Sequence, residues 1–153
     1  MFRGINGVNI DAKGRIVMPT RYRDRLREES SGGVVMTIDT DERCLLLYSI
    51  QAWEAIESKL AQLPSFNPQA RRIQRLLIGH ATESELDNNG RVLLPPLLRE
   101  YAGLKKHAML VGQGKKFELW DEVHWQERRG EWLAEESNDD SNVLPDEVKS
   151  MSL

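Results

Sequence analysis

The chain has little of what marks a secreted, membrane-embedded or metal-clustered protein. Its 153 residues include one cysteine, Cys44, which excludes an internal disulfide framework and fits a reducing compartment. No apolar run approaches the roughly 20 residues of a membrane helix, and the opening "MFRGINGVNI" has no long apolar stretch of the secretory type. The expected address is cytoplasmic, with no membrane partner. His80, His107 and His124 stand apart from one another, without His-x-x-x-His or similar metal spacing. Cys44 precedes "LLLY" and reads as a buried strand residue with no nucleophile's context. "GQGKK" (Gly112–Lys116) lacks the spacing of a phosphate loop and reads as a hairpin turn. "DTDE" (Asp39–Glu42) is too short for a calcium loop. These absences argue against an enzyme, and nothing here calls for a cofactor, a metal or a small-molecule substrate.

An excess of one charge is also lacking overall, since the net charge is −3, but the average hides an asymmetry. Residues 131–153 hold seven acidic residues and one basic one, whereas residues 1–130 carry a net +3. Between Asp11 and Arg27, six cations (Lys13, Arg15, Arg21, Arg23, Arg25 and Arg27) face only Asp11 and Asp24. Surface potential follows such local clusters, so a polyanionic partner is compatible with an acidic chain. A solvated helix face explains the same run without a partner.

What the chain does contain is a repeat. "DAKGRIVMP" at Asp11–Pro19 returns as "DNNGRVLLP" at Asp87–Pro95, so that Asp11, Gly14, Arg15 and Pro19 match Asp87, Gly90, Arg91 and Pro95. Arg23 then matches Arg99, and "LLLYSIQAW" aligns with "FELWDEVHW", placing Tyr48 on Trp120 and Trp53 on Trp125. One long interval indicates duplication, because a solenoid needs three or more units. The expected organisation is a first repeat over 1–63, a connecting helix over 64–80, a second repeat over 81–130, and a helix end with an acidic mobile tail over 131–153. Each repeat reads as strand, tight turn, strand, short helix, two strands and helix, a mixed α+β and β-rich plan. Gly14 and Gly90 supply the positive φ such a turn demands, and Asp11 and Asp87 can accept backbone N–H bonds within it. In the connecting segment, Asn67 is a candidate N-cap, Pro68 suits the first helical position and Gly79 marks the stop.

The turns are also the candidate binding site. Arg15 beside Lys13 offers a guanidinium fork and a point charge on a rigid backbone, suited to guanine edges and phosphates. The alternative is that Arg15 and Arg91 pair with Asp11 and Asp87 and only brace the turns. Both readings stand on the residues alone. The second turn carries Asn88-Asn89 in place of Ala12-Lys13, so the first is electrostatically stronger. Arg71, Arg72 and Arg75 of the connecting segment read as a solvated face, and the matched tryptophans as packing or a subunit contact.

"MFRGINGVNIDAKGRIVMPTRYRD", "RRIQRLLIGHATESELDNNGRVLLPPLLREYAGL" and "VGQGKKFELWDEVHW", in that order, closely resemble the MraZ family of bacterial proteins over residues 1 to about 130. The resemblance includes both copies of the family's Asp-x-x-x-Arg hallmark. It implies a duplicated AbrB-like swapped-hairpin β-barrel with flanking helices. It further implies a transcriptional regulator, commonly a repressor, that binds direct repeats of double-stranded DNA upstream of its own division and cell-wall operon. Such proteins assemble into ring-shaped homo-oligomers, here expected at the nucleoid. The resemblance carries DNA contact to Arg15 and, through the second motif, to Arg91; Lys13 and Arg3 are further DNA-binding candidates. The competing function is an oligomeric protein-interaction scaffold in which the turns are structural.

Overall fold

Residues 1–135 and 145–151 are described by the computed structural model. The first half runs β1 (Phe2–Asn9), β2 (Arg15–Val17), α1 (Thr20–Ser30), β3 (Gly33–Ile38), β4 (Leu45–Ser49) and α2 (Ile50–Ala61). A connecting helix α3 (Pro68–Ile73) passes into a π-helical turn at Gln74–Ile78. The second half repeats the order as β5 (Thr82–Glu85), β6 (Arg91–Leu93), α4 (Pro96–Ala102), β7 (His107–Gly114), β8 (Lys116–Asp121) and α5 (Glu122–Ala134). The protein is thus mixed in helix and strand, around a six-stranded antiparallel sheet and a separate two-stranded ribbon.

Sheet order shows how the two halves are joined. It is β1-β7-β8-β4-β3-β5, with β2 paired to β6 in the ribbon. The hairpins β3–β4 and β7–β8 sit side by side, and the first strand of each half lies on the hairpin of the other. β1 pairs with β7 from Phe2↔Gly114 to Asn9↔His107, and β5 pairs with β3 from Gly33↔Glu85 to Met36↔Thr82. In the ribbon the central pair is Ile16↔Val92, residues that occupy the same position in the repeat. A local pseudo-twofold therefore passes through the ribbon and between β4 and β8.

Side-chain period explains why β3 and β4 read as unbroken apolar runs. Residues on alternate sides of a strand face opposite ways. Val34, Met36, Ile38, Leu45 and Leu47 enter the main core with Ile16, Met18, Val92, Leu94, Leu98 and Phe117. Val35, Leu46 and Tyr48 enter a second cluster with Trp53 of α2. Ile56, Leu60, Leu77 and Ile78 cover that cluster. Thr37 is fully buried, and its hydroxyl donates to the Leu77 carbonyl at 2.7 Å, so the polar atom is satisfied. Cys44 is buried as expected, one residue ahead of β4.

The connecting segment is capped as its residues dictate. Asn67 Oδ1 accepts from the Gln69 and Ala70 amides at 2.9 and 3.2 Å, with Pro68 at the first helical position. The widened turn at its end is a feature that helical periodicity does not announce. The Gly79 amide reaches back five residues to the Gln74 carbonyl at 3.1 Å, and a Cβ on Gly79 would lie 2.1 Å from the Arg75 carbonyl oxygen. Only glycine allows that closure.

Met1–Glu122 forms one compact unit and Val123–Leu153 another. Within the second, the Trp125 and Trp132 rings meet edge-on at 5.9 Å and Arg128 lies 4.9 Å over the Trp132 ring while pairing with Glu131. The expected acidic tail falls partly on 136–144 and 152–153, outside the described residues, and Asp146–Lys149 forms a short helix, α6. Among the described residues no helix is long and apolar enough to cross a membrane.

Candidate nucleic-acid interface

The two turns are built from the same set of bonds. Asp11 Oδ1 accepts from the Lys13 and Arg15 amides, both at 2.9 Å, and Oδ2 accepts from Arg15 Nε at 2.8 Å. Asp87 repeats these bonds with the Asn89 and Arg91 amides and Arg91 Nε, at 2.9, 2.9 and 2.8 Å. Gly14 and Gly90 sit at φ +81° and +74°, a region costly for any side chain with a Cβ. The backbone N–H of Arg15, more than any other group, draws the Asp11 carboxyl below its ordinary range; desolvation opposes it, and the Arg15 side chain and Lys13 amide add to it. Asp87 is lowered in the same way by Arg91 and Asn89. Both aspartates are therefore carboxylates at neutral pH.

Arg15 and Arg91 thus do brace the turns, but only through Nε. The two terminal nitrogens of each guanidinium make no hydrogen bond among the described residues. A carboxylate on Nε fixes the plane of the fork, and with the side chains 25% and 33% exposed the terminal nitrogens, which make bidentate contact with guanine or phosphate, are not consumed by the turn. Bracing and binding are compatible roles for one side chain.

The ribbon register brings these arginines onto one face. Arg15 stands opposite Leu93, and Val17 opposite Arg91. Directly opposed residues point to the same side of an antiparallel pair, so Arg15, Val17, Arg91 and Leu93 share the outer face. Ile16 and Val92 alternate inward and are buried, whereas Val17 and Leu93 are 46% and 51% exposed. Arg15 is accordingly a residue of the ribbon face, one step beyond the turn, and not of the hairpin tip itself. Lys13 is exposed on the first turn. Arg3 lies near the far end of β1, opposite Gln113. The eight steps from Asp11 span roughly 26 Å of extended strand, so Arg3 is not brought into this cluster.

Arg23 and Arg99 belong to the site's frame, a role that only the fold displays. Arg23 of α1 reaches across to the second half's turn: a Cβ on Gly90 would fall 2.2 Å from Arg23 Nε. Arg99 of α4 reaches across to the first: a Cβ on Gly14 would fall 2.8 Å from Arg99 Cζ. Each glycine is therefore required twice, for its φ and for the guanidinium beside it. Arg23 Nε donates to the Met18 carbonyl at 2.6 Å, while Arg99 Nε is buried and has no hydrogen-bond partner among the described residues. Arg27 Nη2 donates to the Asp87 carbonyl at 3.2 Å, which puts a cation of the first half beside the turn that lacks its own lysine. The sequence signal for the cross-brace was the match of Arg23 with Arg99. That for Val17 and Leu93 was the period-two alternation after each Gly-Arg.

Among the described residues, the other polar groups that the sequence raised as candidates are bonded locally. His80 Nδ1 lies 2.7 Å from the Leu76 carbonyl, and His107 Nδ1 lies 2.9 Å from Asn9 Oδ1. Among the described residues, the potential ligand atoms of Asp39, Cys44 and Glu118 come within 4.8 Å of one another. Burial, reinforced by Glu118, Asp39 and Glu42, pushes the Cys44 thiol up, so it is protonated at neutral pH and a poor nucleophile. The carboxylates are already engaged, Asp39 by the Glu42 amide and Glu118 by Trp120 Nε1, both at 2.9 Å.

Known proteins share this pattern along the whole chain. A family model described as "MraZ protein, putative antitoxin-like" matches twice, over residues 1–76 and 77–143. A protein of Coxiella burnetii named "Transcriptional regulator MraZ" is 60% identical, with all of both chains covered. Proteins of the same name from Halorhodospira halophila and Legionella pneumophila are 56% identical, again over the full length of both. Two family matches, one on each half, and full-length identity above one half place the chain in the MraZ family.

Proposed function

We propose that this protein is a transcriptional regulator that binds double-stranded DNA in a sequence-specific manner through the β2–β6 ribbon. The observation that carries this reading is the ribbon's outer face, where Arg15 and Arg91 each hold a partly exposed guanidinium fixed at Nε by an aspartate. A two-stranded ribbon fits a major groove about 12 Å wide, where arginine reads guanine O6 and N7. Lys13 adds charge toward the phosphates. The names of the full-length relatives support the regulatory role.

In this reading the exchange of first strands between the halves is the swapped-hairpin arrangement of the AbrB type, duplicated within one chain. The targets are direct repeats upstream of its own division and cell-wall operon, the usual outcome is repression, and the protein acts in the cytoplasm at the nucleoid. Assembly into a ring-shaped homo-oligomer presents several ribbons to several repeats. Linked weak contacts raise avidity provided that subunit and repeat spacings match. Anisotropy of the labelled fragment upstream of the protein's own gene, against scrambled DNA over a salt series, tests it. Preference for the native fragment, with log affinity falling about 0.9 per phosphate neutralised for each log unit of salt, is the expected result. Equal affinity for both DNAs would refute specific reading, and no binding at any salt would favour a protein-interaction ring.

A further inference from the structure

We infer that Val17 and Leu93 read thymine methyl groups beside the guanines contacted by Arg15 and Arg91, an inference that rests on the DNA-binding reading above. Both are aliphatic residues 46% and 51% exposed on an otherwise charged face, in strands whose other aliphatic residues, Ile16 and Val92, are buried. The register places each of them across the ribbon from one arginine, Val17 from Arg91 and Leu93 from Arg15. The Cβ atoms of directly opposed residues lie about 5 Å apart, roughly one to two base steps of about 3.4 Å, so each arginine has an aliphatic residue at the spacing of neighbouring bases. In the major groove the 5-methyl of thymine is the one apolar feature that distinguishes bases by contact, next to the acceptors that arginine takes from guanine. An arginine–aliphatic pair thus matches a guanine next to a thymine, and the pseudo-twofold presents that pair twice. Asp11 and Asp87 offset the charge of the arginines they hold, so the positive excess around the patch is that of Lys13 and Arg27, and it favours a polyanion as occupant over an apolar protein surface.

The test replaces every thymidine of the upstream fragment by deoxyuridine, which removes only the methyl groups, and compares wild type with the Val17→Ala/Leu93→Ala double variant. Burial of one methyl group corresponds to about fourfold in affinity, so wild type loses about fourfold for each methyl contacted. The double variant binds native DNA less tightly and does not distinguish the two fragments. If wild type prefers native to scrambled DNA yet binds the uracil fragment equally well, this inference fails while the arginine reading survives. If wild type does not prefer native DNA at all, the DNA-reading face itself fails, and this inference with it. A change in sedimentation of the double variant would also overturn it, because the face would then be a subunit contact.

Discussion

The two halves of the chain build one turn with the same bonds and brace it with different ones. Asp11 and Asp87 each accept two backbone amides and one arginine Nε at indistinguishable distances. Outside those turns the symmetry fades. β1 has 8 residues and β5 has 4; α1 has 11 and α4 has 7. Arg23 is hydrogen-bonded beside Gly90, but Arg99 Nε beside Gly14 is buried and unpartnered. Local geometry set by five consecutive residues is preserved through the duplication. Contacts that depend on neighbours from the other half have diverged, and the divergence makes the two turns mechanically and electrostatically unequal.

The largest break in this comparison comes from the glycines. Gly90→Val forces a β-branched residue to positive φ and displaces Arg23 from the Met18 carbonyl, and we expect about 3 kcal/mol lost in urea denaturation. Gly14→Val imposes the same φ but displaces an Arg99 whose Nε has no such bond, so about 2 kcal/mol is expected. Next come the two ribbon arginines. Arg15→Ala and Arg91→Ala should each cost about 1–3 kcal/mol of DNA affinity, equally, because their geometry is the same, with oligomer size unchanged by sedimentation.

The braces themselves separate the halves more finely. Arg23→Met should lower stability by about 1 kcal/mol through the lost carbonyl bond, whereas Arg99→Met should fall within about 0.5 kcal/mol of wild type by removing an unsatisfied donor. Charge at the turns comes next. Lys13→Asn should reduce the salt slope of DNA binding by about 0.9, and Asn89→Lys should raise it by about as much. The smallest effect is on acid stability. Asp11 and Asp87 have lowered folded-state pKa values, so their contribution is complete above the ordinary aspartate range. It is lost as pH falls below about 4 and through the depressed folded values. Asp11→Asn or Asp87→Asn should flatten that acid limb of the pH–stability curve, leaving the slope above pH 6 untouched.

Much of this was legible in the sequence because it is local. The Asp-x-x-Gly-Arg turn, the Asn67 cap and the apolar runs of β3 and β4 depend on residues within a few positions. The order of elements in each half was readable for the same reason. The partner of β1 was not, because pairing with β7 joins Phe2 to Gly114 and is decided by which buried faces meet. Arg23 and Arg99 could be matched by the repeat, but that each lies under the opposite half's glycine appears only when the halves are assembled. The placement of Arg15 shows the same limit. The motif suggested a turn-tip residue, and the ribbon register makes it the neighbour of Leu93 on a shared face.

The central claim is that Arg15 and Arg91 on the ribbon face carry sequence discrimination. Its most direct test is the ratio of affinities for native upstream DNA and scrambled DNA, measured by anisotropy at one salt concentration for wild type and the Arg15→Ala/Arg91→Ala double variant. The account predicts a wild-type ratio of at least tenfold that collapses to near unity in a folded double variant of unchanged oligomer size. A double variant that keeps the wild-type ratio would show that the two arginines only brace their turns and that DNA is read elsewhere.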